Sequence, residues 1–265
     1  MNKLNIILIM SAIMAATIMG ILNNSFKNGT FTCDKYILNT YLYLILAIIF
    51  VALFVQSMTS FNITILSELI NKYRIAYMLI LFIGLIISVV GISLIDPTNI
   101  YKKHLFWLLF VTFSAMLFQP IHMMYVNAGL QSEIVNALVI TFILVSVLTT
   151  IAFLKPDFIK PSWGPILFFA LLGAILIEIV AILTGSYNNR LMNYIIIFIF
   201  IGYLLYDTKF MRVRAKKCLE KCEYYSFNRF DHGAKCVKPD YIRESINIFL
   251  DIYNLFLRIL GNRSN

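Results

Sequence analysis

Residues 200–210 read FIGYLLYDTKF, and residues 247–256 read NIFLDIYNLF. Each stretch places one aspartate, Asp207 or Asp251, within or at the end of an apolar run. An ionised carboxylate that is removed from water costs several kcal/mol unless a partner compensates it. We therefore expect these two aspartates to have a specific function and to lie in the protein interior, away from lipid.

The composition of the whole chain is that of an integral membrane protein. Hydrophobic residues make up 60% of the chain and charged residues 13%, whereas a soluble domain is about 45–50% apolar and about 25% charged. The net charge of +9 is expected in the cytoplasmic loops of a membrane protein, so it does not indicate nucleic-acid binding. We predict an all-α, polytopic helix bundle that forms a single membrane domain over residues 1–265.

Apolar segments separated by short polar linkers mark the expected helices. A transmembrane helix needs about 20 mostly apolar residues, and Pro97, Pro156 and Pro161 lie in linkers where helices should end. The first segment could instead be a cleaved signal peptide, or it could lie at the interface or re-enter the membrane, but we favour an uncleaved segment. Eight candidate helices result: 4–22, 36–58, 75–95, 105–127, 133–154, 165–184, 191–208 and 241–260.

Basic residues are distributed unevenly between the two predicted sides of the membrane. The loop at 209–240 carries nine Lys and Arg residues, and the loops at 23–35, 96–104 and 155–164 carry two each. The other side holds only four before the C-terminal segment. By the positive-inside rule, the basic loop 209–240 should be cytoplasmic.

The last predicted helix carries a continuous polar stripe. Its members recur at spacings of three and four residues, which places them on one face of a helix. Such a face is expected to lie in the interior of a bundle, although a helix lying flat at the membrane surface is the alternative. The stripe comprises Asp240, Glu244, Asn247, Asp251, Asn254 and Arg258.

Several acidic and amide side chains could line a polar path. Two close carboxylates resist double ionisation and can share one proton, and ionised carboxylates suit Ca²⁺. Asp207 and Asp251 could instead each cap a helix or pair with a lysine.

Glu178, within the apolar segment 165–184, could line the same path or pair with a polar neighbour. The candidates for pore-lining residues are Glu178, Glu244, Asn247 and Asn254.

Two C-terminal stretches carry a family resemblance. YLLYDTKFM at 203–211 and DYIRESINIFLDIYNLFLRIL at 240–260 resemble the transmembrane Bax inhibitor motif family. The resemblance implies a seven-helix core with the last helix at its centre, to which this chain adds the segment 4–22. It also implies a pH-sensitive calcium leak from the endoplasmic reticulum or Golgi, a cytoprotective role, and Asp207 and Asp251 as a di-aspartyl pH sensor. Lys102 and Lys103 are the nearest substitutes for a basic gating partner found in some relatives.

Two other functions compete with this interpretation. Paired intramembrane aspartates also occur in presenilin-type proteases, but those enzymes have a glycine before the second aspartate, and Asp251 follows Leu250. We therefore expect no enzymatic activity. No cofactor is expected, and the resemblance implies calcium as the permeant ion. The other alternative is a non-transporting scaffold, or a viral envelope protein, that binds cell-death regulators.

The basic loop also contains a set of soft metal ligands. Cys218, Cys222, His232 and Cys236 could form a tetrahedral zinc site. The alternatives are reduced thiols in the cytosol, or disulfides if the loop meets an oxidising compartment.

Overall fold

The computed structural model describes residues 3–27, 30–60, 72–184, 189–227 and 238–263. Within these ranges the chain forms eight α-helices, a two-stranded antiparallel hairpin and a short 3₁₀ turn at Pro156–Phe158. The hairpin pairs β1 (Phe26–Lys27) with β2 (Thr30–Phe31). The helices are α1 Lys3–Ser25, α2 Tyr36–Ser60, α3 Arg74–Leu94, α4 Ile100–Asn127, α5 Gln131–Leu154, α6 Trp163–Thr184, α7 Asn189–Phe227 and α8 Tyr241–Arg263.

Seven of the described helices, α1 to α7, are long and apolar enough to cross a membrane. The prediction of an all-α polytopic membrane protein is therefore confirmed. The predicted segment 241–260 is helical, as α8, but it is not among the seven. Its polar stripe lowers its hydropathy below that of a lipid-facing span.

Helix α8 nevertheless buries side chains along its whole length, which favours an interior position over a helix lying flat on the membrane surface. The following residues of α8 are at most 2% exposed: Tyr241, Ile242, Ile246, Ile248, Leu255 and Leu260.

In the linker between α3 and α4, the side chains of Asp96 and Asn99 accept hydrogen bonds from backbone N–H groups. Asp96 Oδ1 accepts hydrogen bonds from Thr98 N at 2.8 Å and Thr98 Oγ1 at 2.6 Å. The side chain of Asn99 accepts a bond from Lys102 N and so caps the start of α4. Asn and Asp favour these positions because their short side chains satisfy free N–H groups.

The chain divides into two compact units, of which the first contains Met1–Ala128 and Ala215–Ile246. In this unit α2 packs on α1 and α4, and α3 packs on α4. Small residues permit the close approach of α3 to α4: a Cβ built on Gly84 would lie 2.7 Å from Phe113 Cζ. Gly91, two turns further on, meets Phe106 in the same way. Glycine at helix contacts is typical of membrane bundles, where close packing drives association.

An aromatic cluster in the first unit holds the start of α8. The ring of Tyr241 makes edge contacts with Phe31 at 5.2 Å and with Tyr36 at 5.1 Å between centroids. Phe31 in turn stacks on Phe26 across the hairpin at 4.9 Å. The hairpin therefore serves as a packing platform at the end of α1.

The second unit contains Gly129–Arg214 and Asn247–Asn265. Here Gly164 of α6 lies against Tyr206 of α7, since a Cβ on Gly164 would be 2.6 Å from Tyr206 Oη. Arg212 donates a hydrogen bond to Phe153 O at 2.7 Å, and Lys209 donates to Ile159 O. These two bonds satisfy carbonyls at the end of α5 and in the linker that follows it.

The predicted loop at 209–240 requires a correction. Helix α7 does not end at residue 208 but continues to Phe227. The added segment contains no Gly or Pro and is rich in Lys, Arg and Glu, which favour helix. The charged residues of this segment end the predicted transmembrane segment at residue 208, but the helix continues through them.

Candidate functional site

Asp207 and Asp251 both lie in the second unit, Asp207 on α7 and Asp251 on α8. The charge of Asp207 acts electrostatically on Asp251, and both act on the hydroxyl of Tyr203. Asp251 is 4% exposed, and its Oδ2 has no hydrogen-bond partner among the described residues. The structure thus brings the two predicted carboxylates into one electrostatic neighbourhood.

Local sequence explains the environment of each carboxylate. Asp207 follows Tyr203 by four residues, so both side chains lie on one face of α7. On α8, the residues three before and four after Asp251 are Ile248 and Leu255, which are almost fully buried. An apolar setting with a second acid nearby disfavours two full negative charges. Such a pair can hold a shared proton or bind a cation.

The other members of the polar stripe are placed differently. Glu244 is buried and belongs to the first unit. Asn247 is partly buried. Asn254 donates from Nδ2 to Leu250 O at 2.8 Å, so its amide nitrogen is used within α8.

Glu178 forms an ion pair with Arg258 in the second unit. Arg258 Nη1 lies 2.6 Å from Glu178 Oε1, and Nη2 lies 3.1 Å from Oε2. Nη1 also donates to Asn193 Oδ1 at 3.0 Å, and Asn193 Nδ2 donates to Asn262 Oδ1 at 2.9 Å. Of the two readings of Glu178, the contacts match pairing with a polar neighbour. Arg258 was visible in the polar stripe, but Asn193 and Asn262 carried no signal in the sequence.

Lys103 occupies a buried position in the first unit. Its Nζ lies 2.6 Å from Asp240 Oδ2 and 2.5 Å from Ile92 O. A substitute for a basic gating partner was expected at Lys102 or Lys103. Of these two, the structure pairs Lys103, and its partner is an acid of the stripe, Asp240.

The cysteines give a pairing that the sequence did not indicate. Cys33 and Cys218 form a disulfide with their Cα atoms 5.6 Å apart. A sulfur in a disulfide is not a thiolate, so the predicted four-ligand zinc set cannot form while this bond is present. The side chains of Cys222, His232 and Cys236 lie outside the described residues. The bond places residues 33 and 218 on one side of the membrane, as the predicted topology does.

The seven apolar helices of membrane-spanning length define an integral, multi-pass helical membrane protein in a lipid bilayer. Two of its acidic residues, Asp207 and Asp251, lie in the second unit. A protein-family profile described as inhibitor of apoptosis-promoting Bax1 matches residues 33–262, most of the chain. The chain therefore belongs to the Bax inhibitor family, and as a member it is an anti-apoptotic membrane protein. Searches among curated proteins and among solved structures each found no significant match. Helix α1 precedes the matched residues.

Proposed function

We propose that the protein is a pH-sensitive calcium leak channel of the endoplasmic reticulum or Golgi membrane, with a cytoprotective role. Asp207 and Asp251 form its proton sensor and gate. The observation that carries the proposal is the setting of Asp251: a buried carboxylate whose Oδ2 lacks a hydrogen-bond partner among the described residues, and on which the charge of Asp207 acts.

The proposed mechanism depends on the number of protons that the pair holds. With one proton shared, the two carboxyl groups can approach each other, and α8 is held against α7. With both groups ionised, mutual repulsion favours a second packing of α8. The ionised pair also offers oxygen ligands to calcium. The protonation state of the pair thus favours one of the two packings of α8 and sets the leak rate.

Calcium flux in proteoliposomes tests the proposal. The full-length protein would be reconstituted with a calcium indicator inside the vesicles, and flux measured between about pH 6 and 8. We expect flux that depends on pH in the wild type, and a flat pH profile in Asp251→Asn and Asp207→Asn. Asp96→Asn removes an exposed carboxylate from the α3–α4 linker and serves as the matched control, with an unchanged profile.

An Asp251→Asn protein that folds and keeps both the flux and the pH profile of the wild type would contradict the proposal. Absent flux in the wild type, together with cell-death regulators that co-purify with it, would support the scaffold function instead. The proposal includes no enzymatic activity, so a model transmembrane peptide should remain uncleaved.

A further inference from the structure

The linker between α5 and α6 carries two lysines and an exposed aromatic ring. It joins two helices that are long and apolar enough to cross a membrane, so it lies at one surface of the bilayer. The side chains of Lys155 and Lys160 are exposed. Between them, Phe158 is 64% exposed, and its ring meets the ring of Trp163 edge to face at 5.4 Å between centroids. Tryptophan and other amphipathic side chains are enriched at the level of a membrane where the headgroups begin.

Helix α7 adds two basic side chains to this surface, and both are held in place. Arg212 Nη1 donates a hydrogen bond to Phe153 O at 2.7 Å, and the guanidinium carbon lies 5.7 Å from the centroid of the Phe153 ring. Lys209 Nζ donates to the carbonyl of Ile159, a fully buried residue. Residues 153 and 159 lie two positions and one position from the linker lysines. Four basic side chains therefore gather at the linker, all of them within the second unit.

Positive charge at this surface exceeds the negative charge that the linker offers. Asp157 is the one acidic residue of the linker, residues 155–162, so four basic groups face one carboxylate and leave an excess of three positive charges. Among the residues that the structure describes, the side chains of Lys155 and Lys160 have neither an ion pair nor a hydrogen bond. Their ammonium groups can therefore bind an anion that comes from outside the chain.

Arg212 is held in a position that favours anion binding. A guanidinium has five N–H donors, and Phe153 O accepts from one nitrogen, Nη1. The side chain is exposed, so its other nitrogens can reach an anion at the surface. Because the bond to Phe153 O already fixes the guanidinium, binding costs less side-chain entropy than it would for a mobile arginine. Guanidinium groups also match the geometry of phosphate oxygens.

The phosphate of a lipid headgroup has the chemistry that this surface fits. Its negative charge complements the excess of basic residues, and the exposed ring of Phe158 would lie among the first carbons of its acyl chains. We propose that the surface formed by Lys155, Lys160, Lys209 and Arg212 around Phe158 binds the headgroup of an anionic phospholipid from the surrounding bilayer. On the predicted cytoplasmic side, this surface faces the leaflet to which anionic lipids give a negative potential. Binding of this lipid requires neither calcium flux nor the aspartate pair, so it is independent of the proposed function.

Fluorescence of Trp163 reports on this surface directly, because the residue lies beside Phe158. The chain has two tryptophans, and Trp107→Phe leaves Trp163 as the only one. The full-length protein would be reconstituted in phosphatidylcholine vesicles that contain, at equal mole fraction, either brominated phosphatidylserine or brominated phosphatidylcholine. Bromine quenches a tryptophan that it touches, and we expect the serine lipid to bind about tenfold more tightly at low salt.

Removing two of the charges should abolish this preference. In the same background, Lys155→Gln with Lys160→Gln should bring the two lipids to nearly equal quenching. The matched control is Lys27→Gln with Lys102→Gln, which removes the same charge from exposed positions in the first unit and should keep the preference. The proposal is overturned if the two lipids quench equally in the parent protein, if the linker variant keeps the preference, or if the control loses it to the same extent.

Mass spectrometry of intact protein–lipid complexes covers the case in which Trp107→Phe does not fold. The wild-type chain should retain phosphatidylserine in preference to phosphatidylcholine, and Lys155→Gln with Lys160→Gln should lose that preference. Equal retention of the two lipids by the wild type, or an unchanged preference in the linker variant, would overturn the proposal by this measurement as well.

Discussion

Lys103 Nζ lies 2.6 Å from Asp240 Oδ2, and this contact joins α4 to the start of α8 across 137 positions of sequence. The lysine side chain is completely buried, whereas Asp240 is 17% exposed. The other carboxylate oxygen, Oδ1, accepts a hydrogen bond from Arg243 N at 3.3 Å and so caps α8. One aspartate thus both neutralises a buried cation and begins the last helix.

We expect substitution of Asp240 to lower the stability of the fold more than substitution of Lys103 does. Asp240→Asn leaves Lys103 as a buried cation without a carboxylate, and breaking a buried pair in this way costs about 3–5 kcal/mol. Lys103→Met leaves Asp240 at a helix N-terminus, where the helix dipole stabilises its charge, so we expect a smaller loss. The double variant should recover most of the stability. Thermal unfolding of the purified proteins would measure this, and equal, additive losses would contradict it.

The close approach of α3 to α4 predicts a specific sensitivity at Gly84. Gly84→Val would place methyl groups where the Phe113 ring now lies, and overpacking of this kind costs about 1–3 kcal/mol. Gly173→Val in α6 is the matched control, since a Cβ there meets nothing within 4 Å. We expect a lower unfolding temperature for the first variant only. A similar decrease in both would indicate that helix propensity, and not the contact with Phe113, is responsible.

The disulfide between Cys33 and Cys218 predicts a stability that depends on redox conditions. A cross-link between residues 185 positions apart restricts the unfolded chain, and such bonds contribute about 2–4 kcal/mol. Dithiothreitol should lower the unfolding temperature of the wild type and leave Cys33→Ser unaffected. Equal effects of the reductant on both proteins would argue against the bond. Peptide mapping without reduction, on protein isolated from cells, would also test the predicted cytoplasmic side, because disulfides are rare in a reducing cytosol.

Asp96 provides a pH-insensitive reference for the flux measurements. Hydrogen bonds from Lys238 and from Thr98 hold the pKa of this exposed carboxyl well below its usual range. Since the folded pKa is lowered, the contact stabilises the fold above the unfolded pKa of about 3.9. That contribution is lost only as the pH falls through the folded value, so Asp96 does not titrate between about pH 6 and 8. Asp96→Asn should therefore keep the wild-type pH profile, and a shifted profile would show that the α3–α4 linker takes part in gating.

The apolar segments of the sequence predicted the helical class, and the spacing of polar residues predicted an interior face on the last helix. Lipid forces backbone groups to pair within each segment, so apolar length alone predicts a helix. The polar stripe of Asp240, Glu244, Asn247, Asp251, Asn254 and Arg258 was visible because its spacing is a property of a single helix. The start of the basic loop was predicted too early because hydropathy reports where lipid contact ends, whereas backbone propensity decides where a helix ends. Helix α7 therefore passes Asp207 and reaches Phe227.

Amino-acid order alone determined that this chain is a polytopic helical membrane protein with two acids in its late apolar segments, since these are local properties of composition and spacing. Tertiary structure alone decided the partners of its charges and cysteines: Lys103 with Asp240, Glu178 with Arg258, and Cys33 with Cys218. Each pair joins elements at least 80 positions apart. A charge pattern shows that a buried group requires a partner, but only the packing of helices determines which group comes within reach.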